Sequence, residues 1–327
     1  MKKLLVIILS AVLLTGLVAC GDKTSSYKVG FGTETTVSVT DGQFANAGKK
    51  VFEASVVYVG VVVDKDGKIV NLYIDEAQNQ GIFDKGVLTN DQSFRDTKKT
   101  LKDDYNMGPV SPIGKEWYEQ VEALEAYAKG KTVADIVGIE LDEAGFATDE
   151  AILATTTIEI DVILKAVKKA GENLTEVKGA VKAGLGSVSL VGLNDYGVPQ
   201  INTTMAMIAV DKDGKLLYTY IDTAQHSAIV SKDDPNLITV KDDTRSKKEL
   251  KDDYNMGPVS PIGKEWYEQL ESLQEFSLNK TVSDFIGLEV DETGTPTGDN
   301  IKASVTVIVS DYLKAVETAS KNLFEIK

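Results

Sequence analysis

The chain of 327 residues has one cysteine, one histidine and two tryptophans, and each scarcity excludes a class of chemistry. A lone thiol, Cys20, leaves no internal disulfide framework and no cysteine-based zinc site. A lone imidazole, His226, cannot serve a histidine-dependent triad repeated along the chain. Positive charge is also in deficit, with 35 Lys and Arg against 50 Asp and Glu and a formal net charge of -15. No basic patch large enough to neutralise phosphates stands out, which excludes nucleic acid as a partner and adsorption to anionic headgroups as a means of attachment.

What is present begins with an address. Lys2 and Lys3 precede an apolar run over 4–19, broken only by Ser10, Thr15 and Gly16, which reads as a secretory signal. The run is shorter than the about 20 apolar residues of a spanning helix. It ends in Leu17-Val18-Ala19-Cys20-Gly21, with small residues around the cysteine. That is the pattern of bacterial lipoprotein processing, in which cleavage before Cys20 frees its thiol for diacylglycerol. The expectation is a signal peptide over 1–19, a lipidated tether over 20–26, and a protein anchored by lipid on the outer face of the cell membrane. Several acyl chains hold firmly where one holds weakly.

The rest of the chain is written twice. Residues 101–120, LKDDYNMGPVSPIGKEWYEQ, return letter for letter as 250–269. Weaker echoes flank the block: Asp64-Lys65-Asp66-Gly67 with Asp211-Lys212-Asp213-Gly214, Tyr73-Ile74-Asp75 with Tyr220-Ile221-Asp222, and Leu164-Lys165-Ala166-Val167 with Leu313-Lys314-Ala315-Val316. A period this long is no solenoid, because each copy can bury its own core. Two domains are expected, over 27–174 and 175–327.

Within a copy, the valine-rich stretch 54–63 and the stretch 69–74 read as strands joined by an Asp66-Gly67 hairpin turn, a reading preferred over half of a calcium loop because the distal ligands are missing. Ser111-Pro112 suits the N-cap and first turn of a helix whose Trp117, Val121, Leu124 and Ala128 share one face. Its counterpart carries Trp266, Leu270, Leu273 and Ser277. Thr132 with Asp135 and Thr281 with Asp284 resemble capping boxes opening a single turn. Stretches 136–141 and 285–290 then read as strands, and the β-branched stretches 154–158 and 303–307 read as strands passing into the last helix of each copy. Strands before and between segregated helices indicate an α+β fold.

The unchanged block looks like a binding surface, because cores tolerate volume-conserving swaps such as Val121 to Leu270 and packing alone does not hold a whole loop constant. It places Tyr105, Met107 and Trp117, and again Tyr254, Met256 and Trp266, where a flat aromatic ligand is met by stacking and sulfur contacts. Lys99, Lys115, Lys248 and Lys264 are candidates for a phosphate.

The segments Ala154-Thr155 and Ala303-Ser304, each followed by a helix containing an Ala-Val pair, resemble the flavin-attachment segment of FMN-binding domains. In that family a flavin transferase joins FMN through its phosphate to a threonine or serine hydroxyl. By position the acceptors are Thr155 and Ser304, and Asp149 matches the aspartate that the family often carries before the acceptor, while Gly298 stands there in the second copy. Ile152-Leu153 and Ile301-Lys302 replace the usual Ser-Gly. With the lipoprotein start and the duplication, the chain resembles the two-domain flavinylated lipoproteins of Gram-positive bacteria, related members of which shed peptide pheromones from their signal sequences.

The resemblance implies α+β architecture in two tandem copies of an FMN-binding-type module. It implies an electron carrier and not a substrate-turning enzyme: two covalent FMN groups take electrons from a membrane NADH dehydrogenase or its quinone and pass them to extracellular acceptors such as ferric iron. The alternative expectation is a non-redox binding lipoprotein presenting two ligand sites.

Overall fold

A computed structural model describes residues 26–326 apart from 91, 94 and 95. The signal peptide, Cys20 and all but the last residue of the tether lie outside the described residues. Among those described, no helix is long and apolar enough to cross a membrane.

The first module runs β1 (Ser26–Asp41), β2 (Lys50–Val63), β3 (Ile69–Asp84), β4 (Val87–Leu88), β5 (Gln92–Ser93), α1 (Lys98–Leu101), α2 (Trp117–Ala128), α3 (Val133–Val137), α4 (Glu150–Leu153), α5 (Asp161–Glu172) and β6 (Thr175–Lys178). The second runs β7 (Lys182–Leu193), β8 (Pro199–Val210), β9 (Leu216–Val230), β10 (Ile238–Val240), α6 (Lys247–Leu250), α7 (Trp266–Ser277), α8 (Val282–Ile286), α9 (Ser310–Lys321) and β11 (Leu323–Glu325). Their strands form two antiparallel sheets of matching order, β4-β3-β2-β1-β6 and β10-β9-β8-β7-β11. The fold is mixed α+β, as expected. The first sheet runs on through Lys178, a few residues past the expected boundary at 174. In return β5 of the first module pairs with β7 of the second, Gln92 opposite Val191.

The valines of β2 explain the layering. Val57, Val59, Val61 and Val63 pack under α2, α3 and α5 with Trp117, Leu124 and Val167. Val56, Tyr58 and Val62 face the other way, onto Leu185, Met205 and Met207 of the second sheet. Both faces are covered, so the strand is apolar from Val56 to Val63 rather than alternating. Each fully buried valine contributes roughly 1.5 to 3 kcal/mol. The order of layers is helices, sheet, sheet, helices. Across the middle, Phe31 stacks on Tyr220 at 4.9 Å, Tyr58 Oη lies 2.9 Å from Ser187 Oγ, and Lys169 bridges Glu34 and Glu249, each at 2.6 Å.

Glycine lets the helices close on the sheets. A Cβ at Gly30 would lie 2.1 Å from the Ala170 carbonyl oxygen, and one at Gly184 would lie 2.2 Å from that of Ala319. The hairpin turns form as expected: Asp64 Oδ1 accepts from the amides of Asp66 and Lys68, both at 2.9 Å, and Gly67 takes φ +76°, the left-handed region that suits glycine.

Three local expectations fail, and one strand comes unannounced. Ile136 and Phe285 lie in the short helices α3 and α8, and only single bridges, Leu141 to Ala147 and Val290 to Pro296, follow. The caps at Thr132 and Thr281 nucleate a helical turn, and that decided the state of the short apolar runs behind them. Residues 154–158 are not a strand: they form the turn that ends α4 and an irregular lead into α5, and 303–307 behave likewise. Ser111-Pro112 is also a turn; α2 starts at Trp117, capped by Glu116 in a reciprocal box with Glu119. Finally β1, rich in Thr and Ser, is a full strand in register with β2 that its polar sequence did not announce.

Candidate functional site

The block repeated letter for letter is held in shape by its own side chains. Glu116 accepts from the amides of Met107 at 2.8 Å and Gly108 at 2.7 Å, and Glu265 does the same for Met256 and Gly257. Gln120 is wholly buried; its Nε2 donates to Ser111 Oγ and the Lys115 carbonyl, and its Oε1 accepts from the Thr157 amide at 2.7 Å. Gln269 repeats this with Ser260, Lys264 and Thr306. Much of the identity between the copies therefore has an internal cause. The tip does not, since Val110 and Val259 are each 80% exposed.

A cleft of about 390 Å³ opens where the block meets the first sheet. Tyr105, Met107 and Trp117 line it from the block, Thr36, Ser55 and Glu76 from the strands, and Ile158, Glu159 and Asp161 from the lead into α5. Three of the residues singled out from sequence thus come together. Trp117 lines the cleft while belonging to the core under the sheet.

The cleft also holds a lysine that sequence reasoning passed over. Thr97 caps α1 and turns Lys98 inward, 2.7 Å from Glu76 Oε1, with Tyr105 and Trp117 ring centroids at 5.0 and 5.5 Å. Ser55 donates to the same carboxylate, and Tyr105 Oη donates to Gln78 at 3.0 Å. Burial pulls Lys98 toward neutrality, but Glu76 and Tyr105 outweigh it and hold its pKa above the ordinary lysine value. The result is a paired, net-neutral polar spot against two aromatic rings.

The second module has the equivalent cleft, about 350 Å³, with different chemistry. The sheet registers establish the equivalence: Thr36 opposite Ser55 becomes Leu190 opposite Asn202, and Val57 opposite Glu76 becomes Thr204 opposite Thr223. Lys247 takes the place of Lys98, and its ammonium stands 4.8 Å from the Tyr254 ring and 5.4 Å from that of Trp266. Asp311 and Tyr312 replace Val162 and Ile163. Trp266 Nε1 donates to Tyr312 Oη at 2.8 Å, and the two rings meet edge to face. Trp266, with Met256 packed beside it, thus belongs to the core, while Tyr254 lines a separate cavity with His226 and Arg245.

The proposed acceptors are not among the residues that line the two clefts. Thr155 is exposed and follows the end of α4; its hydroxyl donates to the Ile152 carbonyl at 3.2 Å, and Ser304 does the same to Ile301 at 3.1 Å. The amides of Thr155 and Thr156 are already spent on Ile152, and those of Ser304 and Val305 on Ile301. No helix starts at Thr155, because α5 begins only at Asp161. Thr157 and Thr306, which the sequence reading did not single out, hold to Gln120 and Gln269 and stand nearer the cleft segments. Asp149 caps α4 through the Ala151 amide at 2.7 Å; where Gly298 replaces it, the helix gives way to turns.

Three of the four lysines proposed for phosphate are engaged elsewhere. Lys99 pairs with Glu125 over the Tyr73 ring, Lys248 donates to Gln274 over the Tyr220 ring, and Lys115 pairs with Glu119. Burial alone carries Lys248 down to about 8, with Asp222 and Glu271 opposing. Beneath both lysines a buried carboxylate anchors the loop: Asp75 accepts from Tyr58, Thr97 and the amides of Glu76 and Lys99, and Asp222 from Ser246 and the amides of Thr223 and Lys248. Burial pushes each up to about 6.

No family model matches the chain, and no solved structure matches it. Among curated proteins, the chlorophenol reductase of Desulfitobacterium hafniense is 34% identical over 93 aligned residues, which cover 24% of this chain and 28% of that protein. The chain thus spans less than a third of the length of that relative.

Proposed function

We propose that the protein is a lipid-anchored extracellular electron carrier whose first module holds FMN. The observation that carries this reading is the cleft of about 390 Å³ in which Tyr105, Met107 and Trp117 meet beside a hydroxyl-bearing segment. A flat ring suits that lining, and Lys98 with Glu76 supplies polar contacts without a net charge. When bound, a flavin supplies the electron-accepting and electron-donating chemistry. The protein's part is to hold the ring, shield it from water and set the dipoles around it. Anchoring through Cys20 keeps such a carrier beside a membrane NADH dehydrogenase or quinone, with ferric iron among its extracellular acceptors.

The sequence reading expected FMN on both Thr155 and Ser304. The second cleft, with Tyr312 and Asp311 added and Lys247 without the carboxylate that Glu76 provides, supports flavin less well than the first. A second reading, a binding lipoprotein with noncovalent ligands, is favoured by a specific observation: the hydroxyls and amides at Thr155 and Ser304 are already bonded to Ile152 and Ile301. The stretch shared with chlorophenol reductase is too short to extend that protein's name to this chain.

Intact mass of the chain coexpressed with a flavin transferase decides between the readings. One added FMN mass, lost in Thr155→Ala or in Thr157→Ala, supports the carrier and identifies the hydroxyl. An unmodified mass beside an active transferase sinks the covalent carrier and leaves the binding lipoprotein.

A further inference from the structure

We infer that the cleft of the second module is a binding site for a small zwitterion of the free amino acid class. Three observations converge there. Lys247 is nine-tenths buried and lines the cleft, and among the described residues no carboxylate lies within ion-pair range of it. Its counterpart Lys98 has Glu76 at 2.7 Å, but Thr223 occupies the equivalent place. A buried ammonium without a counter-ion is costly, and an anionic ligand group relieves that cost.

The second observation is Asn202, whose Oδ1 is buried without a hydrogen-bond partner and which also lines the cleft. An unused buried acceptor calls for a donor. The third is Asp311, a carboxylate in the same lining where the first module has Val162. The lining therefore offers an ammonium to a carboxylate, and a carboxylate and an amide oxygen to an N–H donor with positive charge. A free amino acid carries both on adjacent carbons, and about 350 Å³ accommodates its side chain. Tyr254 and Trp266, under the ammonium, keep Lys247 in place and dry.

Burial lowers the proton affinity of Lys247, yet Tyr312, Tyr254 and Asp222 outweigh it, so the group stays cationic. Burial raises that of Asp311, with Lys247 acting against it.

The test is titration calorimetry of the full chain with each free L-amino acid as probe. At least one is expected to bind, and its carboxamide, with the carboxylate masked, to bind about thirtyfold more weakly or worse. Thr223→Glu rebuilds the ion pair of the first module and is expected to weaken binding by a similar factor with Lys247 still present. Lys247→Met does so by removing the ammonium, and circular dichroism reports whether either variant has lost its fold. Absence of heat from every probe at about 10 mM overturns the proposal, as does binding that survives undiminished in whichever of the two variants is folded. None of this requires flavin, so its failure and that of the carrier reading are separate results.

Discussion

Lys98 Nζ stands 2.7 Å from Glu76 Oε1, each side chain 11% exposed, while in the second module Thr223 holds the register position of Glu76 and lines the cleft with Lys247. The pair is kept in the first copy and lost in the second, where Asp311 lines the same cleft without reaching ion-pair distance. Glu76→Thr should therefore destabilise the first module by about 2 to 4 kcal/mol, because it strands a buried ammonium. Adding Val162→Asp, the residue of the second copy, should recover part of that loss. Urea unfolding of the single and double variants measures both.

Gln120 joins the repeated block to the segment after α4 through Ser111, the Lys115 carbonyl and Thr157. Gln120→Leu keeps the volume and removes every one of these bonds. A loss of about 2 to 3 kcal/mol is expected, since several buried groups lose a partner. Hydrogen exchange should quicken at Thr157, and unchanged protection there would show that the link is not what orders the segment.

Two buried groups give opposite pH dependence. Asp75 is pushed up to about 6, so the folded chain keeps its proton longer than the unfolded chain; this group's contribution falls as pH rises from about 4 to about 6. His226 is driven down to about 4 by burial, with Asp243 opposing. There the unfolded chain binds the proton first, so stability is lost as pH falls from about 6.5 to about 4. Asp75→Asn should remove its share of the first slope, leaving that of Asp222, which burial also pushes up to about 6, and His226→Asn, which installs the residue found at Asn79, should remove the second. Each is worth on the order of 3 kcal/mol. Melting temperatures between pH 4 and 7 would reveal the change of sign.

Gly32 and Gly186 lie under α5 and α9, where a Cβ would come within 2.1 Å of the Ala166 carbonyl oxygen and 2.3 Å of the Ala319 amide nitrogen. Backbone cannot retreat as a flexible side chain does. Gly32→Ala and Gly186→Ala should each cost about 3 kcal/mol or more, by overpacking. Gly197→Ala, at a turn with φ +73° and open space around it, should cost only about 1 kcal/mol. A comparable loss at all three positions would mean that the close approach is not what selects glycine in the strands.

Legibility followed the range of the interaction. The face of α2 was readable because Trp117, Val121, Leu124 and Ala128 recur at helical spacing, and the Asp66-Gly67 turn because its chemistry is complete within a few residues. The partners of Lys98 were not: nothing in its sequence neighbourhood marks it out, and only the cap at Thr97 and a strand more than twenty residues earlier make it a buried ion. The invariance of the repeated block was visible, but its cause was divided. Glu116 and Gln120 explain most of it as loop architecture, and the exposed Val110 and Val259 lie outside that account.

The sequence by itself determined the duplication, the α+β character and three residues of the first cleft, Tyr105, Met107 and Trp117, because repeats, periodicity and turn chemistry are local properties of the chain. The tertiary structure decided that the sheets pack on one another and that the two clefts differ. Which strand residues stand opposite one another, Val57 with Glu76 and Thr204 with Thr223, depends on register across the sheet, and register is set by packing of the whole face.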